Sequence, residues 1–332
     1  MSHHIYIYSP SGAVRDKAAF RRGVRRLESL GHQVELDPDA LSSHQRFAGD
    51  DATRVAAIHR AAASGADVAL MSRGGYGLTR ILPALDYARI ANAIARGTAF
   101  VGISDFTAFQ SAVLAQTGAV TWAGPALCEG FGVPADQEPD DIMLACFDDL
   151  LQGQGEGAGW RQRAVRPRRQ ETALINAIDV GASNADSKSA EAEFVIEDSP
   201  LWGGNLTVLC SLLGTPYFPN VDGGVLFLED VGEHPYRVER MLTQLLHSGV
   251  LARQKAVVLG QFTEFKRTAH DKGFGLPAVH AWLRSQLNIP VLTDLPFGHV
   301  PTKVLLPVGA RVDLAVQQRD VMLVWGHQAG QV

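Results

Sequence analysis

Apolar and polar residues alternate in two rhythms through the first half of the chain. Short apolar runs at 4–8, 32–36, 66–71 and 99–103 have the length of buried strands. The segments between them carry apolar residues at helical spacing. Residues 16–30 place Phe20, Val24 and Leu27 on one face and end at Gly31, a residue suited to a helix C-terminus. Asp50 and Asp51 stand where a helix running to Ser64 needs an N-cap. Residues 79–85 predict a helical turn or two, 87–95 a helix, and 105–116 a helix that follows its strand without a loop. Such alternation predicts an α/β fold whose N-terminal domain is a doubly wound, mostly parallel sheet. Ligands bind such sheets at the carboxyl ends of the strands.

The rhythm breaks near residue 150. Residues 152–159 are rich in Gly and polar side chains, and Arg161, Arg163, Arg166, Arg168 and Arg169 follow. Residues 178–200 include GASNADSKSAEAE, which reads as an inserted, mobile loop. Periodicity then returns. A helix is expected after Trp202-Gly203-Gly204-Asn205, a strand at 225–228, a helix at 236–247, a strand at 256–260, a helix at 278–287, and short strands beyond 289. The expected division is an N-terminal α/β domain over 1–160, a linker and inserted loop over 161–200, and a smaller C-terminal α/β domain over 201–332. No internal repeat is visible.

Composition narrows the function classes. The 332 residues carry 30 Lys and Arg against 35 Asp and Glu, a net charge of −5. That balance argues against a nucleic-acid binder, so the Arg run reads as a solvated edge strand rather than a phosphate patch. Cys128, Cys146 and Cys210 are far apart and form no CxxC pair, which excludes a disulfide framework or zinc knuckle. No apolar run reaches signal-peptide or membrane-spanning length. A cytoplasmic address is expected, with no cofactor and no metal.

Four strand ends carry unusual residues. Met71-Ser72-Arg73-Gly74-Gly75-Tyr76-Gly77 sets consecutive glycines after an apolar run, where backbone N–H groups approach an anion or simply make a tight turn. The spacing does not match the GxGxxG of a dinucleotide site. Val101-Gly102-Ile103-Ser104-Asp105 drives a strand straight into a helix, as at a nucleophile elbow, although GxSxG is not met and a plain helix cap is the competing reading. Residues 225–230 end a hydrophobic strand in Glu229 and Asp230, which suit orientation of a histidine, a metal, capping or a salt bridge. Pro296-Phe297-Gly298-His299 offers a base. His234 and His327 compete with it; His247 reads as packing. Jointly, Ser104, His299 and Glu229 supply a nucleophile, a base and an orienting carboxylate.

Six motifs extend this set: SPSG (9–12), SRGGYGLTRILPALDY (72–87), GISDFTAFQ (102–110), WGGNLTVLCSLLGTPYFP (202–219), LFLEDVGEHPYRVERMLTQL (226–245) and PFGHV (296–300). Together, over nearly the whole chain, they resemble the LD-carboxypeptidases, a serine peptidase family that includes cytoplasmic murein tetrapeptide carboxypeptidases. The resemblance implies Ser104 as nucleophile, Glu229 and His299 as its partners, and the backbone N–H groups of Gly75 and Asp105 as oxyanion donors. It implies a groove between two domains, a homodimer, and release of C-terminal D-alanine from a murein tetrapeptide in peptidoglycan recycling. Arg73, Arg240 and Lys303 are candidates for the terminal carboxylate, and Tyr76 for lining the groove. The 178–200 segment is longer than expected for murein recyclers. It keeps a microcin-type immunity peptidase, cleaving peptide- or aminoacyl-nucleotide amides, as the alternative. A non-catalytic sugar- or nucleotide-binding module is a second.

Overall fold

The computed structural model describes residues 1–163 and 193–326. Arg166, Arg168, Arg169, His327 and most of the expected 178–200 loop lie outside the described residues.

The first half builds as its pattern predicts. Strand β1 (His4–Tyr8) leads to α1 (Lys17–Ser29), β2 (Gln33–Leu36), α2 (Asp51–Ala63), β3 (Val68–Met71), the short α3 (Leu78–Ile81), α4 (Tyr87–Ala95), β4 (Ala99–Gly102), α5 (Phe106–Thr117) and β5 (Thr121–Ala123). The side chains of Asp16 and Asp50 cap α1 and α2 by accepting backbone N–H bonds. All pairings among these five strands are parallel, in the order β2-β1-β3-β4-β5. Alternate residues of β1 enter opposite cores. Ile5 and Ile7 pack with Phe20 and Leu27 of α1, while Tyr6 and Tyr8 pack with Ile58 of α2 and Phe109 of α5. Both faces of the sheet are therefore buried under helices, the doubly wound arrangement.

Beyond β5 the chain makes a single π-helical turn (Leu127–Phe131), then α6 (Asp141–Gln152) and β6 (Gly157–Arg161). The second half contains β7 (Glu193–Asn205), α7 (Leu206–Ser211), β8 (Val225–Val231), α8 (Pro235–His247), β9 (Ala256–Thr263), α9 (Leu276–Gln286), β10 (Val291–Leu292), β11 (Leu306–Val308), β12 (Arg311–Gln317) and β13 (Asp320–Val324). A seven-stranded sheet runs β10-β9-β8-β7-β12-β13-β6. It changes character along β7, whose last residues pair parallel with β8 and whose first residues pair antiparallel with β12.

Three features differ from expectation. Residues 193–200, expected in the inserted loop, form the start of β7. Glycine-rich 157–161 is a strand at the sheet edge, with exposed Arg161 facing Asp320 at 3.5 Å, so Arg161 belongs to the solvated edge that the acidic charge balance favours. Strands also cross the expected division, since β6 joins the second sheet and β11 pairs antiparallel with β5 in the first.

Candidate active site

The junction between β4 and α5 places Ser104 in a left-handed backbone conformation, φ 68°. Such a φ is uncommon for a non-glycine residue, and the strain persists where the surroundings enforce it. Gly74 leaves the room that this turn needs. A Cβ at Gly74 would lie 2.7 Å from Ser104 Cβ and 2.8 Å from its Oγ. The Ser104 hydroxyl makes no hydrogen bond among the described residues, and only its carbonyl serves the helix, accepting from the Thr107 N–H at 2.9 Å. The plain capping reading therefore fails for its side chain.

Asp105 is buried, and burial raises its pKa. Ser11 Oγ donates to its Oδ2 at 2.5 Å and the Leu78 N–H at 3.0 Å, bonds that oppose the rise and tie the turn down. Gly75 adopts φ 133°, in the range that favours glycine. Neither the Gly75 nor the Asp105 N–H donates to an acceptor among the described residues.

Glu229, fully buried, lies near the carboxyl end of β8, two residues before Val231. His299 Nδ1 lies 2.8 Å from Glu229 Oε2. Facing a carboxylate, Nδ1 carries the hydrogen and Nε2 is left with a lone pair for a second partner. Burial pushes the His299 pKa down, but the hydrogen bond and charge of Glu229, with Asp230 and Glu129 behind, outweigh it and raise the value. Asp230 is raised by burial, against bonds from Thr207; Asn205 Nδ2 donates to both Glu229 and Asp230. Among the described residues no three His, Cys, Asp or Glu side chains converge to hold a metal ion.

A cavity of about 530 Å³ brings the two halves together. Ser104, Gly75 and Arg73 line it from the first sheet, and His299 and Lys303 from the second half. Two expected substrate contacts lie outside the cavity lining. Arg240 is exposed on α8, because Val238, Met241, Leu242 and Leu245 take the buried face. Tyr76 is 46% exposed and packs on Phe47 outside the cavity lining. His234 is engaged with Asp271 at 3.1 Å, and His247 is exposed rather than packed. Arg15, Glu129 and Glu264 also line the cavity and were not among the expected residues. Glu129, on the π-helical turn, faces Arg73 at 4.0 Å. Surrounding protein raises its pKa, opposed by Arg73, His299 and Lys303. Burial lowers the Lys303 pKa, opposed by Glu129, Asp140 and Glu229.

An LD-carboxypeptidase N-terminal domain matches residues 5–124, and an LD-carboxypeptidase C-terminal domain matches 198–314. The chain belongs to the LD-carboxypeptidase family and is a serine-type carboxypeptidase, which sets aside the non-catalytic binding module. Among solved structures, a muramoyltetrapeptide carboxypeptidase from Oxalobacter formigenes superposes with a TM-score of 0.81 at 38% identity, over 97% of this chain and 98% of its own. A murein tetrapeptide carboxypeptidase from Pseudomonas aeruginosa is 30% identical, over 83% of this chain and 81% of its own. A microcin C7 self-immunity protein from Escherichia coli is 25% identical, over 75% of this chain and 71% of its own.

Proposed function

We propose that this carboxypeptidase removes the C-terminal D-alanine from murein tetrapeptides in peptidoglycan recycling. The names of the Oxalobacter and Pseudomonas relatives support the substrate. The observation that carries the mechanism is one cavity lined by both the strained Ser104 and the Glu229-held His299.

Ser104 Oγ attacks the carbonyl carbon of the residue before D-alanine. His299 Nε2 takes the hydroxyl proton, while Glu229 fixes the ring and stabilises its imidazolium form. The developing oxyanion accepts from the N–H groups of Gly75 and Asp105, each worth about 10²–10³ in rate. His299 then gives its proton to the departing amine, and D-alanine leaves. Water, deprotonated by the same nitrogen, cleaves the acyl-enzyme and restores Ser104. Arg73 is assigned to the substrate's terminal carboxylate, since a planar guanidinium suits it. Its Nη1 lies 3.0 Å from where a Gly75 Cβ would stand, beside the oxyanion donors. Lys303 is the second candidate.

The division of labour follows: the front domain supplies nucleophile and oxyanion donors, the back domain the base and carboxylate. We propose a homodimer acting in the cytoplasm, with neither nucleic acid nor membrane as partner. The three free cysteines suit a reducing compartment, and the charge of −5 does not suit nucleic acid. Among the described residues no helix is long and apolar enough to cross a membrane.

Ser104→Ala is expected to lower kcat by about 10⁴-fold or more while tetrapeptide still binds. Mass spectrometry of the incubated peptide reads the outcome, and retained turnover removes Ser104 from the mechanism. The microcin relative supports a second reading, cleavage of aminoacyl-nucleotide amides. Among the described residues no Phe, Tyr or Trp side chain lines the cavity, and His299 supplies its one aromatic ring. Assaying both substrates side by side separates the two.

A further inference from the structure

Nucleophile and base come from different halves of the chain, so their register must be held across the boundary between them. We propose that Asn205 is the positioning residue that locks the Glu229–His299 pair onto the helix that starts just after Ser104. This rests on the serine mechanism above.

Asn205 ends β7, and its backbone N–H donates to Thr107 Oγ1 at 2.9 Å. Thr107 lies in the first turn of α5, three residues after Ser104. The side-chain Nδ2 donates to Glu229 Oε1 at 3.1 Å and to Asp230 Oδ1 at 3.0 Å. Its Oδ1 accepts from the Val208 N–H at 3.1 Å, capping α7. Both amide hydrogens and the amide oxygen are thus in use, and the capping bond decides which end is nitrogen. Glu229 is held at both oxygens, Oε1 by Asn205 and Oε2 by His299. An unbroken path runs from the Ser104 helix through Thr107, Asn205 and Glu229 to His299.

The close approach is built in. Gly204 has φ 126°, and a Cβ there would lie 2.5 Å from Thr107 Oγ1. Only glycine lets β7 come this near α5 in that conformation. Asn205 is 4% exposed and does not line the cavity, so it acts through Glu229 and not on the substrate. Asp230 gains a role in the same path. Thr207 donates to its Oδ2 through N–H at 2.9 Å and Oγ1 at 2.7 Å, which fixes Oδ1 for the second amide hydrogen. An aspartate at 205 would set a third carboxylate against two buried ones, and serine would supply one donor where two are used.

The test compares the full-length wild type with Asn205→Ala, Asn205→Asp and Thr107→Val on a murein tetrapeptide. Asn205→Ala and Asn205→Asp are expected to lose about tenfold to 10²-fold in kcat, as small misplacements of reacting groups do, with KM little changed. In Asn205→Ala the acid limb of the pH–rate profile is expected to move to lower pH, because Glu229 no longer bears squarely on His299. Thr107→Val is expected to lose several-fold in kcat with the limb unmoved, since it slackens only the link between halves. A merely structural residue would lower Tm and leave kcat and the limb of the folded protein intact, and that result overturns the proposal. If the Asn205 variants do not fold, normal kcat in Thr107→Val overturns it instead. An inert Ser104→Ala beside a fully active Asn205→Ala removes this inference alone; an active Ser104→Ala removes the mechanism beneath it.

Discussion

The proposed base, His299, can take a proton only while its ring is neutral, and its neighbours decide the pH at which that holds. Burial alone would lower its pKa below the ordinary 6.5; the bond and charge of Glu229, helped by Asp230 and Glu129, raise it instead. The acid limb of kcat/KM is therefore expected at a midpoint above 6.5. Glu229→Gln removes the charge and keeps the burial. Its midpoint should move to lower pH, with the plateau rate down by about 10²–10⁴. Profiles of both proteins check this, and an unmoved or raised midpoint in the variant assigns the shift to other groups. The sign for stability is the opposite of a carboxylate's. A raised His pKa stabilises the fold fully below its unfolded value, and that contribution disappears as pH climbs through the folded one. Ser104, Glu229 and His299 were legible because each lies at or just beyond the end of an apolar run. Glu129 carries no such mark, sitting inside a turn of five residues between core positions. The exposure of Arg240 is legible as well, since the spacing of Val238, Met241, Leu242 and Leu245 turns position 240 outward.

Elements differ in how plainly they show themselves. The parallel strands β3 and β4 are buried along their whole length, so their apolar runs stand out. β7 does not, because its first half exposes alternate residues and its second half is Trp-Gly-Gly-Asn, poor strand material by composition. Pairing with β12 and β8 overrides that preference. β6 is hidden for a similar reason, being glycine-rich and, among the described residues, paired with β13 at the edge. Helix α5 shows a third case. Phe106 through Val113 are all buried, so the helix has no solvent-exposed face in its first two turns. It is enclosed on one side by the first sheet and on the other by α7 and β7. Phe109 stacks on Phe106 at 4.8 Å and contacts Phe100 at 5.5 Å. Phe109→Ala should cost about 3–5 kcal/mol, the range for emptying a buried phenyl site. Denaturant titration reads the loss. A change below about 1 kcal/mol would mean that the helix collapses into the void at little cost.

At the scale of the molecule, the two sheets exchange strands, and this decides whether either half is a folding unit. The front half lends β6 to the second sheet and receives β11, which covers the β5 edge through Thr121–Ala123. Trp325, near the end of the described chain, lies 6.3 Å from Trp122 in an edge-on contact, and Leu305 completes the core beneath α6. A fragment of residues 1–163 would lose all three. It would also uncover the apolar back of α5 and leave β5 as an unpaired, hydrophobic edge. Expressed alone, that fragment should show no cooperative thermal transition and should bind hydrophobic dyes, while the intact chain melts cooperatively. A sharp transition from the fragment would instead make the halves independent and the exchanged strands incidental. The expected result bears on catalysis. Ser104 owes its position to a helix that is stable only against the other half, and His299 reaches the shared cavity only from that half. Folding and assembly of the site are then one event, so a chain that has failed to join its halves carries no partly armed nucleophile.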